Sequence, residues 1–451
     1  MGTGSPRILI AGAGIGGLTA ALALIRLGYD VDVYEQAREL KDVGAGLNIS
    51  ANGNRVLHAL RVLEQLEPLA CELRGKDLRL WNTGRAWRII DFGEESVERY
   101  GYPYLAVWRP DLLGVLAAAV RAEKPDAIHL DSECAGLVQD DAGVTLHLAD
   151  GRRVTGDALV GADGVHSTIR RALFGEDRPE FTGIVAWRAS VPMRLLPGHM
   201  ARRVSTNWVG EGAHVVHYPV RRGEMMNFIG SVERSDWDVE SWSARGTADE
   251  CANDYHGWHE DIQLLIRSAP SLYKWALLSR APMTRWTVGR VTLLGDACHP
   301  TLPTLGQGAV MAMEDGFVLA MCLELSDGEV PLALERYEGA RRNRTRKVVL
   351  GSAENARRFH DRALATAEAA QAYVDREWSR ERVFKRYDWL YSYDVSRTIE
   401  WTRARETRAA APAPLPRSAR REARPSTATS AGIPRGSARP RSRAKRRAPG
   451  R

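Results

Sequence analysis

Hydrophobic and polar positions in this chain follow two periods that take turns. Residues 7–34, RILIAGAGIGGLTAALALIRLGYDVDVY, open as a short apolar run and break at a cluster of glycines. They continue through an Ala- and Leu-rich stretch of helical character and return to an apolar strand at Val31–Tyr34, ending on Glu35. The same outline recurs at DALVGADGVHSTIRRALFG (Asp157–Gly175), where a strand meets an Asp-Gly turn and then a helix. GRVTLLGDACHP (Gly289–Pro300) repeats the strand and the turn. Between these units, residues 181–235 are rich in β-branched and aromatic residues and read as strands that interrupt the pattern. Leu332–Phe359 reads as helix packing a C-terminal helical region. Alternating strands and helices of this kind predict an α/β protein.

The glycine cluster has a specific chemistry. In Gly12-x-Gly14-x-x-Gly17, the first glycine permits a tight turn, the second lets backbone approach a pyrophosphate, and the third lets helix and strand pack closely. Glu35, at the second strand's tip, is placed to accept hydrogen bonds from an adenosine ribose. This order predicts a Rossmann-like dinucleotide site without separating NAD from FAD. Two more acids, Asp163 beside Gly164 and Asp296 beside Gly295, stand at strand tips far downstream. A simple NAD dehydrogenase has no need of them, whereas a long cofactor extended across a sheet does. Arg109 precedes a helix expected to open on Pro110, where a cation is disfavoured unless an anion lies beside it. In LLGDACHPTLPTLGQGA (Leu293–Ala309), Pro300 and Pro303 stiffen a loop that Gly306 and Gly308 leave bare of side chains. Such a loop suits a large, flat, anionic partner.

Composition changes this picture only at one end. At 451 residues, 26% charged and 44% hydrophobic, the chain is long enough for two or three ordinary globular domains. From Arg397 onward 16 Lys and Arg stand against 3 Glu, so a chain of net charge +7 has a basic tail and a body of −6. The body is therefore not expected to bind nucleic acid specifically. The Pro/Ala/Arg/Ser-rich tail is expected to be disordered and to attract polyanions without specificity. Five scattered cysteines (Cys71, Cys134, Cys251, Cys298, Cys322) without a CxxC pair predict reduced thiols, a cytoplasmic setting and no metal site. Ile8–Ile25 has the length and apolarity of a signal peptide or membrane span, but four glycines within six positions argue for a soluble strand–turn–helix. No membrane span is expected.

Taken in order, GxGxxG with Glu35, VWRPDLLG with Arg109, GADGVHSTIR, and GDACHP followed by GQGA resemble the FAD-dependent aromatic hydroxylases. The likeness is strongest to the salicylate, 3-hydroxybenzoate and 6-hydroxynicotinate monooxygenase group. GAGLNIS (Gly44–Ser50), HYPVRRGEMMNFIG and RYDWLYSYD extend it over about residues 7–395. The resemblance implies FAD as cofactor, held by Gly12, Gly14, Gly17, Glu35, Gly46, Arg109, Asp163, Gly164, Gly295, Asp296, Pro303, Gly306, Gly308 and Ala309. It implies NADH or NADPH as a transient co-substrate, with no second Rossmann domain. A helix starting near Gly308 would aim its positive end at the flavin N1/O2 edge and favour the anionic reduced form by ~0.3–2 kcal/mol. The implied fold is a Rossmann-like FAD-binding domain of the glutathione-reductase type, interleaved with a β-sheet substrate domain and followed by C-terminal helices. The expected division is 1–178 for FAD, with a substrate-side insertion near 76–103, then 179–284 for substrate and 285–330 for FAD again. Residues 331–396 form the helical region and 397–451 the tail. The implied activity is hydroxylation of a phenolic aromatic acid of the salicylate or 3-hydroxybenzoate type, with O2, through a C4a-hydroperoxyflavin.

In GAHVVHYPVRRGE, strand alternation puts His214, Val216 and Tyr218 on one face and Val215 and His217 on the other. From pattern alone a strand histidine is more often structural than catalytic; the resemblance makes His214 the base that deprotonates the phenol. Tyr218 is expected to be its hydrogen-bonding companion or to orient substrate, and His217 to be structural. Asn48 stands where hydroxynicotinate-type relatives carry histidine, which disfavours that substrate. Cys298-His299 is expected to diverge in an extended segment, and His256 and His259 to share an exposed helix face. Two other functions fit less of the sequence. One is a different flavoprotein oxygenase, an epoxidase or a halogenase, although the WxWxIP signature is absent and VAWRASVP is the nearest stretch. The other is a non-enzymatic nucleotide-fold protein acting through its basic tail. The protein is expected to be a monomer or homodimer.

Overall fold

A computed structural model describes residues 5–40, 45–236 and 244–397. The basic tail expected from Arg397 lies, but for that residue, outside them. Among the described residues two large sheets organise the chain. The first has six strands in the order Thr287–Val288, Val291–Leu293, Ala158–Gly161, Arg7–Ala11, Asp30–Tyr34 and Ile128–His129. All neighbours pair in parallel except the outermost, Thr287–Val288. Three strands from far apart in sequence therefore end side by side at Ala11, Gly161 and Leu293. Parallel strands covered on both faces must be apolar throughout, and Ile8, Leu9, Ile10, Leu159, Val160 and Leu293 have no exposed surface. Each buried aliphatic side chain of this kind contributes about 1.5–3 kcal/mol.

Helix Ile15–Arg26 follows the first strand and crosses helix Gly308–Glu324 at close range. A methyl group at Gly316 would come within 2.7 Å of the Ala20 amide nitrogen, so the contact needs glycine. The segment that looked like a membrane span is thus a buried strand and a 12-residue helix. No described helix is long and apolar enough to cross a membrane.

The second sheet has eight strands, running Arg245–Gly246, Leu272–Ser279, Glu180–Pro192, Met225–Glu233, Ala213–Val220, Ser205–Gly210, Gly75–Leu80 and Ala86–Asp91. One face carries Val215 against Trp208, Phe228 and Tyr255. The other carries Val216, Tyr218 and Val220 against the C-terminal helices, including Phe359, Tyr387 and Tyr391. The alternation read from GAHVVHYPV is the one the sheet uses. A small sheet of Gly46–Ile49, Tyr104–Trp108 and Cys71–Leu73 joins the two halves. Helix Val330–Phe359 then runs past the flat-partner loop, and helices Ala367–Glu377 and Arg380–Tyr391 close the fold. The five cysteines are free thiols.

Candidate active site

The glycine turn is shaped by contact distances. A methyl at Gly12 would sit 2.5 Å from the Ala162 carbonyl oxygen, and one at Gly17 would sit 2.0 Å from the Gly12 carbonyl oxygen. Gly14 differs: nothing lies within 4 Å of where its Cβ would be. It caps helix Ile15–Arg26, whose first turn has neither an acidic residue nor a side-chain cap. Space is therefore open beside Gly14, and no acidic side chain in the first turn opposes the helix dipole. Glu35 accepts from the Ala13 amide at 2.8 Å and the Ala37 amide at 2.9 Å, which fixes its carboxylate against the turn.

The second and third strand tips converge on the same end of the sheet. Asp163 accepts from the Ser167 hydroxyl and, at 3.1 Å, from the Ile169 amide, so it braces the first turn of helix Thr168–Phe174, which Ser167 caps, with Gly164 in the preceding turn. Loss of solvation raises its carboxyl pKa, against the pull of these bonds. Arg170 of this helix is buried and reaches the Ala297 carbonyl at 3.4 Å, tying the turn to the segment after Gly295. Asp296 is exposed, yet the atoms around it raise its carboxyl pKa by desolvation, partly offset by His299 and Arg109. Arg109 is thus electrostatically coupled to Asp296, although 187 positions separate them in the chain. The helix begins at Arg109 itself, one residue earlier than Pro110 suggested, and the Arg109 amide donates to the Ala45 carbonyl at 2.9 Å.

The loop after Pro300 is bare toward one side and braced on the other. Pro303–Leu305 forms a single tight turn, Gly306 follows with φ +65°, and helix Gly308–Glu324 starts with Gly308 and Ala309 uncapped by any side chain. Gln307, fully buried, donates to Ser50 Oγ at 3.0 Å and accepts from Asn52 at 3.0 Å. Behind the helix start lies a buried ionic cluster. Asp315 accepts from His299 Nε2 and Arg341 Nε, each at 2.6 Å, while Glu314 accepts from Arg341 and Arg344 at 2.7 Å. Burial alone would raise the Asp315 carboxyl, but His299 and Arg341 hold it down at about 2.

His299 serves Asp315 and also contacts the Cys298 thiol, so the two side chains do not diverge as expected: Cys298 lies in a helical rather than an extended conformation. Cys298 points its Sγ at the Gly295 carbonyl, and burial raises its pKa against the opposing pull of His299, which disfavours the thiolate a nucleophile needs. The expected pairing of His256 and His259 on a helix face also fails. Helix Glu260–Arg267 begins after both, and His259 caps it by accepting from the Asp261 amide at 3.2 Å. Among the described residues no group of His, Cys, Asp and Glu is arranged to hold a metal.

The eight-stranded sheet meets strand Gly46–Ile49 at Gly46. A methyl there would lie 2.8 Å from Tyr218 Cε2 and 2.6 Å from Asn227 Cγ, and the Gly46 amide donates to Asn227 Oδ1 at 2.7 Å. Gly306 comes near Asn48 and the Tyr104 hydroxyl on the same side. His214 shares the face of Tyr218 but not its contacts. Four strand residues place the two roughly 13 Å apart, so Tyr218 is not the histidine's hydrogen-bonding companion. That companion is His360, whose Nε2 lies 2.6 Å from His214 Nδ1. Burial, then His360 and Lys76, keep His214 well below the usual imidazole pKa. Burial and the neighbouring Tyr104 raise the Tyr218 phenol. His217, on the opposite face, accepts from Trp208 Nε1 at 3.0 Å and borders a separate cavity of about 160 Å³ with Arg79, His199, Arg202 and Asp261.

Polar groups gather on the His214–Tyr218 face with little to bind. Register sets Asn207 opposite Val216, Asn227 opposite Tyr218, Ser231 opposite His214 and Ser190 opposite Asn227. Asn207 Oδ1, Asn227 Nδ2, Ser231 Oγ, Ser190 Oγ and Asn48 Oδ1 are all buried without a hydrogen-bond partner. Each such group costs about 1–3 kcal/mol, so their clustering marks this face as suited to a polar occupant. Lys76 adds a cation. It is 6% exposed, its Nζ lies 5.1 Å from the Tyr387 ring centre, and it makes no ion pair among the described residues. Sequence reading missed Lys76, Asn227 and His360. Lys76 alone left a trace, as a charge in phase with the buried Leu78 and Leu80 of the same strand.

The family described as FAD binding domain matches residues 6–352. The chain belongs to that FAD-binding family. Among similar FAD-family proteins, a 3-amino-4-hydroxybenzoate 2-monooxygenase of Streptomyces platensis is 36% identical over 404 residues, 87% of this chain and 98% of that protein. A 3-hydroxybenzoate 6-hydroxylase of Polaromonas naphthalenivorans is 34% identical over 394 residues, 87% and 97% of the two chains. The crystal structure of Klebsiella pneumoniae HpxO complexed with FAD and uric acid superposes with a TM-score of 0.72 at 27% identity, covering 88% of this chain and 97% of that one. The FAD-binding fold class read from the sequence is therefore the observed one, and the cofactor is FAD.

Proposed function

We propose that the protein is an FAD-dependent monooxygenase that hydroxylates a phenolic aromatic acid of the salicylate or 3-hydroxybenzoate type, using NADH or NADPH and O2. The observation that carries this reading is the cluster of buried, unpartnered polar groups on the His214–Tyr218 face beside Gly46, which we read as lining a substrate chamber. Similar proteins are named for 3-hydroxybenzoate and 3-amino-4-hydroxybenzoate, ligands that join a phenol and a carboxylate on one ring.

The residues fit FAD. Gly14 leaves the space a pyrophosphate needs at an unopposed helix start, with Gly12 and Gly17 shaping the turn. Glu35 retains lone pairs for a ribose, and Asp163 with Gly164 holds the second turn against it. Arg109 would take the phosphate charge, and Gly295-Asp296 would receive the ribityl side. Gly46, Pro303, Gly306, Gly308 and Ala309 would border the flat ring, with the uncapped helix start facing it. FAD, once reduced by the nicotinamide co-substrate, supplies the oxygen chemistry. The chain's own residues bind the ring, exclude water and manage one proton.

Within that chamber Lys76 is the anchor for the substrate carboxylate, since a buried ammonium without an anion is costly. His214, neutral at pH 7, takes the phenol proton and leaves an electron-rich ring. Tyr218, whose phenol stays protonated, donates a hydrogen bond and orients the ring. The free thiols suit a cytoplasmic enzyme, monomeric or dimeric. The test is NADH or NADPH oxidation by the yellow, flavin-loaded protein across monohydroxybenzoates and aminohydroxybenzoates. Stimulation together with a product one oxygen heavier supports the reading. Indifference to every phenolic acid overturns it.

A further inference from the structure

His214 does not end in the protein core. Its Nδ1 lies 2.6 Å from His360 Nε2, and His360 Nδ1 lies 2.9 Å from Glu233 Oε1. His214 and His360 are 2% and 7% exposed, whereas the Glu233 side chain is 58% exposed. Three titratable groups therefore form a line from the substrate face to the surface. They come from strand Ala213–Val220, the end of helix Val330–Phe359 and the end of strand Met225–Glu233. Backbone bonds hold the corner together: the Gly212 amide donates to the His360 carbonyl at 3.2 Å, and the Glu233 amide donates to the Gly212 carbonyl at 2.9 Å.

Hydrogen-bond logic then sets the protons. An ionised Glu233 can only accept, so His360 Nδ1 carries its hydrogen. His360 Nε2 is then the acceptor, and His214 Nδ1 must donate to it. His214 Nε2 is left with its lone pair, the one ring nitrogen of that residue without a partner among the described residues. This arrangement presents a base to the chamber and no proton.

On the reading that the chamber binds a phenol, we propose that His360 and Glu233 are positioning residues that carry the substrate proton from His214 to solvent. The phenol O–H proton moves to His214 Nε2, and the Nδ1 proton of His214 passes to His360 Nε2. The Nδ1 proton of His360 passes to the Glu233 carboxylate and from there to water. One proton leaves the phenol and one reaches solvent; a phenolate remains, and no electrons move. Lys76, the other charged group facing His214, repels a proton resting there and favours the phenolate. A histidine disfavoured as a cation needs such an outlet, because it cannot keep what it accepts.

Two measurements test this on the full, FAD-loaded chain. In the first, 3-hydroxybenzoate is mixed with protein in weak buffer and proton release is followed with a pH indicator. His360→Gln keeps a carbonyl for His214 Nδ1–H but cannot pass a proton. It is expected to bind the acid within about threefold of wild type while releasing the proton roughly 10²-fold more slowly, with rescue by added imidazole. Glu233→Gln, at the surface where water can substitute, is expected to slow release less than about tenfold. Wild-type release rates in His360→Gln, or slow release that imidazole does not restore, would overturn the relay. The second measurement needs no substrate. Nitrogen NMR of the imidazoles should find His214 protonated at Nδ1 and bare at Nε2, and the opposite tautomer would overturn the relay even in a protein that turns over no phenolic acid. Failure of every phenolic acid to bind would instead count against the proposed function, and leave the NMR result to decide the proton line.

Discussion

The Asn355 side chain donates to the Thr304 carbonyl at 2.9 Å, and Thr304 Oγ1 donates to the Ser352 carbonyl at 2.6 Å. These two bonds fasten the glycine-rich loop to the long C-terminal helix, so the wall proposed to face the flavin is held from behind by a segment far along the chain. Removing the donor in Asn355→Ala leaves a buried carbonyl unsatisfied, at a cost of about 1–3 kcal/mol. Urea unfolding should register that loss, and FAD should dissociate faster from the variant. Unchanged stability together with unchanged flavin retention would mean the loop is rigid without this brace.

Two glycines of one motif should fail in different ways. Gly17→Ala places a methyl 2.0 Å from a backbone oxygen and should leave no stable folded protein. Gly14 has φ −69°, open to any residue, and its Cβ would touch nothing. Gly14→Ala should fold within about 1 kcal/mol of wild type yet lose FAD affinity, because the new methyl occupies the space proposed for the pyrophosphate. Fluorescence titration of the flavin-free protein separates the two cases.

His217 should make the fold acid-sensitive. Burial, with a smaller push from Arg79, lowers it to about 4, and Trp208 donates to its Nε2. The unfolded chain takes up that proton near pH 6.5, while the folded chain resists it until about pH 4. Stability from this group is therefore complete above pH 6.5 and lost as the pH falls toward 4, a loss of roughly 3 kcal/mol. His214 and His360, also depressed, add to it with the same sign. His217→Gln should flatten the acid limb of a stability–pH curve by about that amount.

Lys76→Met removes a buried charge that has the Tyr387 ring but no ion pair among the described residues. The variant is expected to be as stable as wild type or more so. It should bind 3-hydroxybenzoate about 10–100-fold more weakly, the value of a charge-assisted bond, while its affinity for phenol itself stays the same. Equal losses for the acid and for phenol would place the carboxylate elsewhere.

What the sequence disclosed follows the range of the forces involved. Gly12 and Gly17 were readable because close approach between neighbouring turns admits no other residue, Gly14 because it completes their spacing, and the alternation at His214–Tyr218 because a strand has a period of two. His360 was not, since its role rests on a contact with a residue 146 positions away, across two packed elements. Nor was Lys76, whose significance appears only when Tyr387 and His214 close over it. His259 was misjudged for a local reason: its own side chain ends the turn and starts the helix, which no periodicity reveals.

On the proposed function, this chain places a phenolic acid between a flavin and the His214–Tyr218 face so that one atom of O2 enters the ring. The most direct measurement is turnover of 3-hydroxybenzoate or 3-amino-4-hydroxybenzoate under isotopically labelled O2, with NADH or NADPH consumption followed alongside. The expected result is one labelled oxygen in the ring for each nicotinamide oxidised, collapsing to unproductive peroxide formation in His214→Asn. A product without label, or nicotinamide oxidation that never yields a hydroxylated ring, would contradict it.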